Sequence, residues 1–405
     1  MTRPRILFLA HLPPWPTYGG GPVRTRCTLE ALATFADVEL ATFLRPGADP
    51  VVPDAVRSLC RGRVHCVPLP RGRFRDAAVL LAGWLEPEPW RIARDRSRAM
   101  RAWVAERIDR VDAIHVDHLP MWSALPPDAS DRVPVVLDCH NAEHRLFRGW
   151  TPYVPWYAGV VARRDAARLE RYEATAVRRA AQVAATTEED RAALIAVSGA
   201  RADKVHVVPV GITVSGESPG PDRDAAPRLV AIGTWDWPPN RDALRWFVGE
   251  ILPTIRRHRP GTTFEVAGRC ARGRPPREAT AEGVAWRGEV PSVDDFLRGA
   301  TVCVAPLRCG AGIRIKALDS LARGVPVVAT PMGAEGLPSV SGVRIVPDPE
   351  AFAQAVVDWM EHPEAASEAG AAAMASLDAL HGRAAALEAW QSVYGAMGLL
   401  EVPAT

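Results

Sequence analysis

Lysine is all but missing from this chain: of its 49 Lys and Arg residues only Lys204 and Lys316 are lysines. The arginine excess and the abundant alanine follow genomic composition more than chemistry, so a surviving lysine marks a position of interest. Net charge is scarce as well. The 49 basic residues meet 47 acidic ones for a formal charge of +2, which excludes electrostatically driven nucleic-acid binding as the default. Seven cysteines (Cys27, Cys60, Cys66, Cys139, Cys270, Cys303 and Cys309) contain no CxxC or CxH pair. A disulfide framework or zinc site of paired, close spacing is thereby excluded, and reduced thiols are expected. The longest apolar stretch, 77–85, falls far short of the roughly 20 residues that span a bilayer. The chain starts Met1-Thr-Arg-Pro-Arg and runs at once into the strand-length segment 6–10, too short for a signal h-region. A soluble, cytoplasmic protein is the expectation.

What is present is ordinary globular material, with 48% hydrophobic and 24% charged residues. At a prior of about 150 residues per domain, 405 residues make two to three domains. Short apolar runs alternate with helix-length amphipathic segments, the signature of buried parallel strands and crossover helices. Strands are predicted over 5–11, 37–44, 64–69, 113–118, 133–141, 182–187 and 205–210. After residues 213–227, which are polar, Gly/Pro-rich and aperiodic, they resume over 228–233, 262–267, 284–287, 301–307, 326–330 and 343–346. Helices are expected over 91–110, 241–257 and 313–323, among others. The predicted organisation is an α/β N-terminal domain over 1–210, a linker over 211–227, an α/β C-terminal domain over 228–380, and a helix over 381–405 packing back on the first domain. In doubly wound sheets ligands bind beyond the carboxyl ends of the strands, so chemistry is sought in those loops.

Four loops stand out. The first, His11-Leu-Pro-Pro-Trp-Pro-Thr-Tyr18-Gly-Gly20-Gly21-Pro, opens a helix. Its glycines admit close backbone approach, suiting either anion contact at the helix N-terminus or a plain βα turn. It lacks the GxGxxG pattern followed by an acid, so the nicotinamide-cofactor fingerprint fails. The second, Asp138-Cys-His140-Asn-Ala-Glu143-His144, gathers protonatable groups at a strand end. The aromatic segment that follows it, 147–157 with Trp150, suits an acceptor pocket or interdomain packing alike. The third, Gly233-Thr234-Trp235-Asp-Trp237-Pro-Pro-Asn240-Arg241, offers two indoles for stacking or for the core. The fourth runs Cys309-Gly310-Ala311-Gly312-Ile313-Arg314-Ile-Lys316-Ala-Leu-Asp319. Cations near a helix N-terminus are locally unfavourable unless an anion binds there, and an acid at 319 suits a ribose diol.

With these residues in view the chain resembles the GT-B-fold retaining glycosyltransferases of family 4, the glycosyl transferases group 1. The matching pieces run in order: the opening strand with its glycine turn, Asp138-Cys-His-Asn141, Ala185-Thr-Thr-Glu-Glu-Asp190, Val207-Val-Pro-Val-Gly211, the Gly233 strand end, 284–290, and Gly310-Ala-Gly-Ile-Arg-Ile-Lys316 followed by Pro326-Val-Val-Ala-Thr330. The resemblance implies an α/β fold of two Rossmann-like doubly wound domains facing across a cleft. It implies a nucleotide-diphosphate sugar donor and a hydroxyl acceptor that is a lipid, a glycan or a secondary metabolite. Asp319 stands where the family places the second Glu of its E-x7-E motif, and Ala311 replaces the first. Thr234 and Asn240 stand near the family's usual Arg and Lys, so Arg314 and Lys316, with Arg241, are expected to clamp the diphosphate. Sugar hydroxyls would meet the backbone N–H groups of Gly310 to Ile313. His140 matches the histidine near the reacting sugar, and the Gly20-Gly21 turn matches the N-domain diphosphate contact. Trp235 joins the expected donor residues; His11, Tyr18, Glu143 and Trp150 are the expected acceptor residues.

No Asp-rich motif stands at a likely donor loop, so no metal or other cofactor is expected. Two competing functions remain open on the sequence. One is a nucleotide-sugar 2-epimerase of the same fold, using His140, Glu143 and His144. The other is a catalytically silent nucleotide-sugar or glycan-binding protein, suggested by the missing first Glu. Arginine-rich segments at 61–75 and 91–101 leave weak peripheral contact with the inner membrane face open.

Overall fold

The computed structural model describes residues 3–16, 20–47, 49–69, 71–82, 88–150, 156–214, 227–270 and 274–400, without the side chains at 73, 80, 150, 156–158 and 161. Tyr18, the side chain of Trp150 and most of the aperiodic 213–227 segment lie outside the described residues. The chain divides into two units. One comprises Met1–Gly211 and Ala386–Thr405, the other Ile212–Ala385.

In the first unit, β1 (Arg5–Ala10), β2 (Asp37–Leu44), β3 (Val64–Pro68), β4 (Ala113–Asp117), β5 (Val135–Cys139), β6 (Gln182–Ala185) and β7 (Val205–Val207) form one sheet. Its order is β3-β2-β1-β4-β5-β6-β7, and every pairing is parallel. Side chains alternate across β1 as the period of a strand requires. Leu7 and Leu9 join one apolar layer, while Ile6, Phe8 and Ala10 join the other. That second layer is completed by Trp390, Val393 and Tyr394 from the helix Arg383–Gly395, so the end of the chain covers a face of the first sheet.

In the second unit, β8 (Arg228–Thr234), β9 (Thr263–Arg269), β10 (Val284–Gly288), β11 (Val302–Ala305), β12 (Val327–Ala329) and β13 (Val343–Ile345) form a parallel sheet in the order β10-β9-β8-β11-β12-β13. Both sheets reverse strand order beside their first strand, between β1 and β4 and between β8 and β11. These switch points are where doubly wound folds hold ligands.

Three predicted helices differ from the observed ones, each for a local reason. The segment 91–110 is not continuous: Trp90–Asp95 stops, Ser97 accepts the N–H of Met100, and a new helix runs over Arg98–Ala105. Ser97 thus acts as an N-cap inside what reads as one amphipathic run. The segment 241–257 carries a π-turn over Phe247–Ile251 just ahead of Pro253, which has no N–H to continue the regular ladder. The segment 313–323 is helical only over Ile315–Leu321. Arg314 therefore precedes that helix, and only Lys316 lies in its first turn.

Candidate active site

At the first switch point β4 and β5 end in a buried charge network. Asp138 is the penultimate residue of β5, and its Oδ1 accepts from Arg24 Nη2 at 2.6 Å and Arg24 Nε at 3.1 Å. Burial alone would raise the Asp138 pKa, but the Arg24 guanidinium holds it well below the ordinary carboxylate range. Arg24 also donates to the Val208 carbonyl at 3.0 Å, tying the helix Gly20–Phe35 to the chain after β7. Asp117, the last residue of β4, accepts from Thr25 Oγ1 at 2.9 Å through one oxygen and meets His140 Nε2 at 2.9 Å through the other. His115, Asp117 and Asp138 bring ligand-type atoms within 4.8 Å of one another. The charge facing the two carboxylates is supplied from within the chain, by Arg24 and by His140.

His140 is the sequence-predicted residue best placed for chemistry. It is buried, its carbonyl accepts Thr186 Oγ1 at 3.3 Å, and its Nδ1 lies 3.9 Å from where a Cβ on Gly21 would stand. The first turn of the helix Gly20–Phe35 thus lies within van der Waals reach of the imidazole. Burial lowers the His140 pKa, but the Asp117 charge, its hydrogen bond and the Asp138 charge outweigh that and leave it above the ordinary value.

The other predicted residues of this unit are turned inward. Glu143 is 2% exposed, binds Arg91 Nη1 at 2.8 Å and has His118 Nε2 at 3.3 Å. His144 Nδ1 is 2.5 Å from Glu173 Oε2, and Glu173 also accepts the N–H groups of residues 143 and 144 at 2.8 and 3.1 Å. His11 Nε2 is held by Asp95 at 2.8 Å and the residue is 3% exposed. Glu143 and His11 were expected to bind the acceptor; their side chains are buried and hold Arg91 and Asp95, the arrangement that burial of polar groups demands. His118 was not expected at all. It sits at the β4 end with φ +81°, its ring 5.5 Å from His11 and 4.9 Å from His140. Nothing in its sequence neighbourhood signals a left-handed backbone.

In the second unit the Gly310–Ile313 turn follows β11. Gly310 and Gly312 have φ +134° and +84°, values that side chains rarely adopt, and a Cβ on Gly310 would lie 3.1 Å from Arg314. Arg314 donates to the carbonyls of Met332 at 2.9 Å and Ala311 at 3.1 Å and faces Glu335 at 3.7 Å. Glu335 also accepts the Gly312 N–H at 3.3 Å. Two expectations are corrected here. Arg314 is committed to the loop that bears it, and the Gly312 N–H is already taken by Glu335, a residue given no role from sequence. The N–H groups of Gly310 and Ile313 have no partner among the described residues. Lys316 is half-buried, and its ammonium makes no hydrogen bond or ion pair among the described residues. Asp319, one turn on, has a carboxyl raised by burial despite the charges of Lys316 and Arg323.

Trp235 is a further correction. It is 4% exposed, packs in the core and donates its indole N–H to the Ala267 carbonyl at 2.9 Å. Burying a large ring whose polar atom is satisfied outweighs exposing it for stacking. Asn240 Nδ2 closes the turn on the Thr234 carbonyl at 2.9 Å. Arg241 is exposed, and its guanidinium has no partner among the described residues.

Two doubly wound, Rossmann-like units, one with a histidine–carboxylate pair at its switch point and one with a glycine turn followed by Lys316, define the fold class. Residues 18–215 match the family described as Glycosyltransferase Family 4, and residues 226–362 match Glycosyl transferases group 1. The chain is a GT-B-fold glycosyltransferase of family 4. Among solved structures it is similar to sucrose-phosphate synthase from Thermosynechococcus elongatus, with a TM-score of 0.73 at 18% identity over 98% of this chain and 99% of that one. It is also similar to Anabaena HepE, solved in complex with UDP and glucose, with a TM-score of 0.63 at 16% identity over 98% and 100% of the two chains. An uncharacterized 44.6 kDa protein in the cps region of Klebsiella pneumoniae is 24% identical over 144 residues, or 33% of this chain. The chain thus spans only 37% of that curated relative. No helix among the described residues is long and apolar enough to cross a membrane.

Proposed function

We propose that the protein transfers a sugar from a nucleoside diphosphate sugar to the hydroxyl of an acceptor, with retention at the anomeric carbon and without a metal ion. The observation that carries this reading is Lys316, a half-buried residue whose ammonium has no partner among the described residues, in the first turn of the helix that follows the turn bearing the unpaired N–H groups of Gly310 and Ile313. Such a set is complementary to a diphosphate, and its worth grows as negative charge develops on the leaving group. HepE, solved with UDP and with UDP-glucose, lends support to a nucleotide-sugar donor. In this reading the bond from the anomeric carbon to the β-phosphate oxygen breaks, and the acceptor oxygen bonds to that carbon on the same face. The acceptor proton passes to the departing phosphate, leaving a glycosylated acceptor and the nucleoside diphosphate. In this reading Asp319 and Arg241 join Lys316 as the donor residues of the second unit, and His140, oriented by Asp117, with the turn at Gly20 and Gly21, is the candidate reactive set of the first. The epimerase reading would draw on His140, Glu143 and His144; the transferase reading is preferred because it uses His140 alone and leaves Glu143 and His144 in their pairs with Arg91 and Glu173.

The test is a thermal-shift panel of UDP, GDP, ADP and dTDP and their sugars. A ligand at about 100 times its Kd stabilises by about 2.7 kcal/mol. One nucleotide should shift the wild type and lose most of that shift in Lys316→Ala; an unchanged shift in the variant would overturn the assignment of Lys316.

A further inference from the structure

Arg45 follows β2 directly and Arg71 follows β3, so both stand at the carboxyl end of the first sheet on the side away from β5. Arg91 and Arg94 come to the same place on the short helix Trp90–Asp95. The carboxylates that form ion pairs with these four guanidiniums are Asp95 and Glu143, while Asp76 acts on Arg71 and Asp165 on Arg91 from farther off. Asp95 Oδ1 takes both Arg71 Nη2 at 2.6 Å and Arg94 Nε at 3.0 Å, while its Oδ2 faces His11 at 2.8 Å. Glu143 takes Arg91. Nothing is left for Arg45. Among the described residues it makes no ion pair, and its buried Nε has no hydrogen-bond partner. Arg71 Nη1 is buried and unpartnered too.

Burial and the charges of Arg71, Arg94 and Arg91 lower the Arg45 pKa to about 10, against the opposite pull of Asp95. The imidazoles of His11 and His118 are held neutral there, chiefly by burial. A half-buried cation that lacks an ion-pair partner in its own fold is destabilised by partial desolvation unless something negative joins it. Guanidinium forks match the oxygens of a phosphate in particular.

We propose that Arg45 and Arg71, backed by Arg91 and Arg94, form a subsite for a phosphate group carried by the acceptor. The proposal rests on the transferase reading for calling the ligand an acceptor; the anion site itself does not need it. The phosphate belongs either to a soluble sugar phosphate or to a lipid headgroup.

The experiment titrates inorganic phosphate and glucose 6-phosphate into wild type, Arg45→Gln, Arg45→Lys and Lys316→Ala by calorimetry. In parallel it sediments the wild type and Arg45→Gln with phosphatidylglycerol and with phosphatidylcholine vesicles. Binding to the wild type that weakens at least about ten-fold in Arg45→Gln, recovers in part in Arg45→Lys and persists in Lys316→Ala supports the subsite. Without ligand, Arg45→Gln should melt no lower than wild type, because it removes a crowded like charge; a purely structural arginine would melt lower. Sedimentation with phosphatidylglycerol alone, lost in Arg45→Gln, assigns a lipid phosphate, whereas glucose 6-phosphate binding without sedimentation assigns a soluble one. If neither phosphate nor vesicle binds, or if Arg45→Gln binds as tightly as wild type, the subsite is wrong. Loss of phosphate binding in Arg45→Gln in a wild type that no nucleotide stabilises would keep the anion site and sink the transferase reading instead.

Discussion

His140 and Asp117 form a buried pair, Nε2 to Oδ1 at 2.9 Å, with the second Asp117 oxygen held by Thr25. The carboxylate orients the ring and keeps its pKa above the ordinary value against the opposite pull of burial. Asp117→Asn removes the charge and leaves a neutral side chain of the same shape. The His140 pKa should then fall, seen by NMR titration of the imidazole. Loss of a charge-assisted hydrogen bond of about 1.5–3 kcal/mol corresponds to a roughly ten- to hundred-fold fall in turnover. An unchanged pKa would mean that Asp117 does not govern the ring.

His11 sets a second pH dependence. Burial lowers its pKa to about 4, although the Asp95 hydrogen bond and charge pull upward. The unfolded chain takes up this proton near pH 6.5 and the folded chain only near pH 4, so the unfolded state binds more protons between those values. Stability should fall as pH drops through that window, by on the order of 3 kcal/mol for this one group. Melting curves of His11→Gln should be flatter there; a slope as steep as wild type would place the acid sensitivity elsewhere.

Gly333 has no room for a side chain. A Cβ there would lie 1.9 Å from the Ala305 carbonyl oxygen at the end of β11. Gly333→Ala should push the 330–336 loop off that strand, moving Glu335 and with it the Gly312 and Arg314 contacts. Overpacking of this kind costs about 1–3 kcal/mol. Weakened nucleotide-induced stabilisation is expected alongside, measurable in the same thermal-shift assay; retention of the full shift would uncouple the loop from the donor residues.

Trp390 and Tyr394 seal the face of the first sheet that carries Phe8. Trp390 is 1% exposed, and Tyr394 shares a hydrogen bond with His115 Nδ1 at 3.0 Å. Trp390→Ala should cost about 3–5 kcal/mol. Tyr394→Phe should cost about 1–3 kcal/mol, because it strands a buried ring nitrogen. Limited proteolysis would report both through faster cleavage of the first unit, while the second unit keeps its rate.

The architecture was legible because strand burial writes itself into short apolar runs. Each of the thirteen predicted runs contains or overlaps one of the observed strands, and most differences amount to one or two terminal residues. Local rules that override a periodic pattern were harder to see. Ser97 divides 91–110, and that break delivers Asp95 to His11. The site was legible in type more than in detail. His140 and Lys316 stand out by loop position and residue type, but the partner of a buried charge comes from a distant segment. Arg24 and Asp138 are 114 residues apart, and no spacing rule links them. Trp235 shows the converse: an indole in a strand-end loop reads equally as ligand platform and as core, and only packing decides.

The helix Arg383–Gly395 belongs from Ala386 onward to the unit whose first strand begins at Arg5. A nascent chain emerging from the ribosome would therefore build the seven-stranded sheet and cover part of its Ile6 and Phe8 face with Leu29, Leu32 and Val56, yet leave the part that Trp390, Val393 and Tyr394 seal open while all of Ile212–Ala385 is translated. The earliest-made sheet is the last to be closed, and throughout that interval the apolar part left open is a natural client surface for chaperones.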